Sequence, residues 1–116
     1  MHFKLIIAFV DSDKTDKILE AARTKGATGS TIISQARGEG LKHNKTFLGL
    51  NIETPRDVLL LLVEQHLSRD ILETIADTGH FESNPQEGIA FQIDVEDAVG
   101  VMHQIHALEH TIEEKI

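Results

Sequence analysis

The chain has 116 residues, 41% hydrophobic and 26% charged, with no cysteine and a formal net charge of −8; this is enough for one domain with an adequate core. The missing cysteines exclude a disulfide framework and a thiolate metal site, while the acidic balance and the lack of a Lys/Arg stripe exclude a phosphate-backbone binder, so no nucleic-acid partner is expected. No charged segment followed by an apolar leader opens the chain and its apolar runs are too short to cross a bilayer, so a cytoplasmic protein that is not itself membrane-inserted is expected.

Leu5–Val10 is the first apolar run, and its length and composition predict a buried strand. A helix follows, with Ser12 or Asp13 as its cap, Ile18, Leu19 and Ala22 on one face, and Gly26 as its left-handed stop. Thr31–Gln35 reads as a second strand. After the polar stretch Gly38–Thr54, Val58–Val63 reads as a third strand, and a second helix follows, capped by Ser68, striped by Ile71, Leu72 and Ile75 and ended by Gly79. Ile89–Val95 alternates Ile89, Phe91, Ile93 and Val95 against Ala90, Gln92 and Asp94, as a half-buried strand does. Shifting Lys4–Gly26 by fifty-three positions lays it on Asp57–Gly79. Ile18 then meets Ile71, Ala22 meets Ile75 and Val10 meets Val63, so the chain reads as two copies of one strand–helix unit.

The order βαββαβ, with right-handed crossovers, predicts an α+β ferredoxin-like sandwich in which an antiparallel sheet carries both helices on one face. Strands one and three become central. Leu59, Leu60, Leu61 and Leu62 offer leucine to both sheet faces, yet helices cover only one, so a second copy of the chain is the expected cover for the other, a monomer with its C-terminal segment folded over the sheet being the competing reading. No linker or low-complexity tract interrupts residues 1–116, which are read as a single domain.

Gly38–Thr54 spans seventeen residues, more than a hairpin needs, and long loops in compact domains are usually functional or disordered. Arg37, Gly38 and Gly40 at its entrance and Arg56 after Pro55 at its exit combine two guanidinium groups with glycine amides, a chemistry suited to phosphate or carboxylate; a plain hairpin turn with solvated arginines is the competing reading. Within the loop, Phe47 and Leu48, flanked by Lys42, His43 and Lys45, suit a partner-binding tip. Leu48, Leu50 and Ile52 read equally as an extension of strand three, and a projecting β-ribbon satisfies both readings. Past Val101, residues 103–115 read as a helix striped by Ile105, Leu108 and Ile112. His103, His106 and His110 recur along it at a spacing able to hold a metal, although a solvated histidine face explains them as well. No nucleophile–base pair or converging carboxylate pair marks an enzyme.

Gly26-Ala27-Thr28-Gly29-Ser30-Thr31, Arg37-Gly38-Glu39-Gly40 and Thr78-Gly79 together resemble the P-II nitrogen-regulator superfamily from Lys4 to about Val101. The resemblance implies ferredoxin-like homotrimers with adenine nucleotides (AMP, ADP or ATP) at clefts between subunits. It further implies a T-loop at residues 38–54 that engages a membrane transporter or metabolic enzyme, and a B-loop at about residues 78–88. Thr31 then matches the threonine near the adenine, Gly38 and Gly40 the T-loop base, Arg56 a lysine that neutralises phosphates, and Thr78, Gly79 and Gly88 the B-loop frame. Departures are equally specific: Leu41-Lys42-His43 lacks the family's glutamine, no tyrosine is present, Ile89 stands at the B-loop lysine, and Gly100 and Met102 at two arginines. Three of four phosphate-binding cations are thus replaced, which disfavours tight ATP binding in the usual pose. The alternative is a metal-responsive or structural trimer of the same fold without nucleotide binding.

Overall fold

A computed structural model describes residues 2–36, 46–47, 50–51, 56–84 and 87–100. The elements run β1 (Phe3–Asp11), a 3-10 turn (Ser12–Lys14), α1 (Thr15–Thr24), β2 (Thr31–Ala36), β3 (Thr46–Phe47), β4 (Leu50–Asn51), β5 (Arg56–Glu64), α2 (Gln65–Gly79) and β6 (Gly88–Asp94). Four of the strands form one sheet in the order β2-β5-β1-β6, and every neighbouring pair in it is antiparallel. This is the ferredoxin-like α+β arrangement, with the two apolar runs central as their composition requires.

β1 and β5 pair without interruption from Phe3 opposite Glu64 to Asp11 opposite Arg56. Ile6, Ala8 and Val10 of β1 and Leu59, Leu61 and Val63 of β5 are fully buried with Ile18 and Ala22 of α1 and Ile71 and Ile75 of α2. The internal repeat holds at this level, since Ile18 and Ile71, Ala22 and Ile75, and Val10 and Val63 all enter that core. Strand periodicity puts Leu5, Ile7, Phe9, Val58, Leu60 and Leu62 on the opposite face, where all six are only half-buried. β6 adds Ile89, Phe91 and Ile93 there, opposite Phe9, Ile7 and Leu5, and the rings of Phe9 and Phe91 stack with centroids 6.4 Å apart. The polar alternates of β6 therefore turn toward the helices, and Gln92 Oε1 is buried without a hydrogen-bond partner among the described residues.

The helix starts differ from the sequence expectation. Neither Ser12 nor Asp13 caps α1. The chain makes a 3-10 turn first, α1 begins after Lys14 with no side-chain cap, and Ser12 Oγ donates instead to Asp57 Oδ1 at 3.2 Å. Ser68 lies one turn inside α2, donating to the Gln65 carbonyl at 2.9 Å; the cap is Glu64, whose carboxylate accepts from the His66 amide at 2.5 Å. Gly26 does stop α1 with φ 109°, whereas α2 ends on His80 in the left-handed region, at φ 59°. Gly79 is needed for a different reason, since a Cβ there would overlap the buried Phe81 ring. Leu50–Asn51 does not extend β5 but pairs with Thr46–Phe47 as a separate two-stranded ribbon. Among the described residues, no helix is long and apolar enough to cross a membrane.

Candidate functional site

Antiparallel pairing brings the end of β1, the start of β5 and the start of β6 to one edge of the sheet, with Asp11 opposite Arg56 and Val10 opposite Gly88. The 3-10 turn after β1 delivers Lys14 to the same place. Arg56 is 5% exposed and donates from Nη1 to the Glu87 carbonyl at 2.9 Å. Lys14 Nζ lies 2.7 Å from Glu87 Oε2 and 3.4 Å from the Gly79 carbonyl, while Glu87 Oε1 accepts from Asn84 Nδ2 at 3.1 Å. The hydrogen bond and positive charge of Lys14 hold the Glu87 carboxyl below the usual carboxylate range against a desolvation cost, with smaller help from Arg56 and His80. Asp11 shifts the other way: burial and neighbouring Asp13 push its carboxyl up, while Arg56 and Lys14 pull it down.

Beneath this group, Asp57 is buried and accepts from Ser12 Oγ and, at 2.5 Å, from Thr15 Oγ1. It therefore anchors the turn that aims Lys14. Gly88 is buried where β6 begins, and a Cβ on it would strike the Phe81 ring and the Phe9 carbonyl oxygen. Gly79 and Gly88 thus form a notch for one phenylalanine ring. Thr78 is half-buried one residue before Gly79.

Thr31 is exposed at the start of β2 and pairs with Leu60. Leu60 lies four positions along β5 from Arg56, about 13 Å at the strand rise, so within one chain Thr31 and Arg56 do not share a site. A shallow recess of about 140 Å³ adjoins Thr31 on the helix side, lined by Leu19, Arg23, Ala27, Thr28, Gly29, Ser30 and Leu61. Phe47 falls in the β3–β4 ribbon. Arg37, Gly38, Gly40, Lys42, His43, Lys45, Leu48, and the helix expected over 103–115 with His103, His106 and His110, lie outside the described residues. Among the described residues, no three His, Asp or Glu side chains are grouped to hold a metal ion.

Sequence reasoning missed Lys14. A signal was present, because the fifty-three-residue shift sets Lys14 against Leu67, which is 5% exposed in the core. A cation set against a core leucine marks a position where the two copies diverge.

No curated protein sequence matches the chain. Solved structures do. The apo form of CPII, a nitrogen regulatory PII-like protein from Thiomonas intermedia K12, superposes with a TM-score of 0.64 at 18% identity over 82% of this chain and 90% of that one. CPII bound to ADP, AMP and bicarbonate gives 0.59 at 18% identity over 85% and 98%. A PII-like signalling protein from Thermus thermophilus gives 0.59 at 23% identity over 82% and 87%. At these identities the likeness establishes the fold. The family model for nitrogen regulatory protein P-II matches residues 3–104, nearly the whole of the chain, and the protein belongs to the P-II family.

Proposed function

We propose that the chain is a P-II-like regulatory protein that binds an adenine nucleotide at clefts between three copies. The nucleotide directs its phosphates to the edge where β1 ends and β5 and β6 begin, and the bound state is signalled through residues 38–54 to a transporter or metabolic enzyme. The observation that carries this reading is Arg56, buried at that edge and bonded to the backbone just before Gly88. The fold-mate CPII with ADP and AMP bound supports the ligand class. The half-buried apolar face built from β1, β5 and β6 supports self-association. Ligand contacts that order the base of the loop would select the form its partner accepts, a regulatory rather than catalytic role.

Isothermal calorimetry against ATP, ADP and AMP, with and without magnesium, tests the ligand, and light scattering tests the assembly. Saturable binding of one of these nucleotides by a trimer, lost in Arg56→Ala, is the expected result. A trimer silent to all three at millimolar ligand would leave a structural role for the fold. A monomer would remove the intersubunit cleft altogether.

A further inference from the structure

We infer that Lys14 is a phosphate-binding cation of this site and that Glu87 is its built-in competitor, a carboxylate lodged where the phosphate group of the nucleotide is received. This inference rests on the nucleotide reading and specifies how the site is regulated. Lys14 Nζ lies 2.7 Å from Glu87 Oε2, and both side chains keep about a quarter of their surface exposed, so the pair sits at the mouth of the site rather than in its core. Arg56 is almost wholly covered and holds the Glu87 carbonyl, so of these two cations Lys14 is the outer one. Lys14 Nζ also lies 3.4 Å from the Gly79 carbonyl, so one lysine touches both the end of α2 and the residue that precedes β6.

The backbone of Glu87 is held on both sides. Its amide donates to the Asn84 carbonyl at 2.9 Å and its carbonyl accepts from Arg56. An incoming phosphate therefore displaces the carboxylate by side-chain rotation about a fixed main chain, trading one anion for another on Lys14. The exchange favours ligands with more charge than the carboxylate they replace, so the site discriminates by phosphate number and rejects an uncharged nucleoside.

Titration calorimetry of the full chain with ADP, AMP and adenosine, for the wild type, Glu87→Gln and Lys14→Met, tests this. Glu87→Gln keeps the shape of the side chain and removes its charge. The expected result is roughly five- to tenfold tighter ADP binding, the size of one partly screened charge-assisted contact, a smaller gain for AMP and none for adenosine. Lys14→Met is expected to weaken ADP binding by a similar factor and to leave adenosine unchanged. Circular dichroism confirms that each variant is folded. If the wild type binds ADP and Glu87→Gln binds it equally or more weakly, the competitor role fails while the nucleotide reading stands. If neither protein binds ADP or AMP, both fail; if only Glu87→Gln binds, the competitor role holds and the wild-type site is shut.

Discussion

At the scale of single residues, the packing around Phe81 sets the sharpest constraint. Gly88→Ala would push a methyl group into the Phe81 ring and to 2.8 Å from the Phe9 carbonyl oxygen, and backbone cannot yield as a side chain can. A loss of about 1–3 kcal/mol is expected, read from the urea midpoint. An unchanged midpoint would mean that the notch is loose. From the sequence, Gly79 read as a helix stop and, with Gly88, as part of a nucleotide loop by resemblance; nothing in the residue order hints at a ring wedged between the two. The charges at this edge make opposite contributions to pH dependence. Glu87 has a lowered pKa, so its stabilisation is complete above the ordinary glutamate value of about 4.3 and is lost as pH falls through the lower folded value. Asp11, with a raised pKa, favours the folded state at low pH and gives that up as pH rises through its folded value. Glu87→Gln should therefore flatten the acid limb of a stability–pH curve, and Asp11→Asn should remove the opposing loss; thermal melts between about pH 3 and pH 7 check both.

At the scale of elements, the four strands of the main sheet and the two helices packed on it were legible because their apolar periods are unambiguous, while the helix starts were not. Ser12 and Ser68 are both ordinary cap residues by type. What overrides this preference is tertiary: Ser12 and Thr15 are drawn to Asp57 of β5, and Glu64 at the end of β5 already points its carboxylate at the His66 amide, so α2 starts earlier and Ser68 is left to bond back to Gln65. Glu64→Ala is expected to cost about 1 kcal/mol through the lost cap. Asp57→Ala, which takes the acceptor from the buried Thr15 hydroxyl, is expected to cost about 1–3 kcal/mol. Urea denaturation separates the two, and nucleotide affinity should fall in Asp57→Ala alone, because the 3-10 turn that presents Lys14 hangs on that carboxylate.

At the scale of the whole molecule, the two faces of the sheet differ among the described residues. The helices bury Ile6, Val10, Leu59 and Leu61 completely, whereas Ile7, Phe9, Leu60 and Phe91 on the other side remain half-buried. That imbalance could be read from four consecutive leucines, since a strand alternates its faces. Leu60→Asp is expected to leave the helix-side core intact and to convert the assembly to monomers, seen as a fall in mass by light scattering with far-UV circular dichroism preserved. A retained assembly mass would mean that this face is not the one that associates. The proposed anion site was only half legible, because Arg56 stood out beside Pro55 while Lys14 depends on a turn whose position is set by Asp57. The pairing of β1 with β5 carries a further consequence. It sets the two repeats head to tail, so the equivalent of the cationic edge recurs at the far end of the sheet, and there Phe3 takes the place of Arg56 and Leu67 the place of Lys14, each 5% exposed. If Lys14 and Arg56 receive the phosphate as proposed, the two copies have diverged so that the matching positions carry cations at one end of the sheet and apolar side chains at the other.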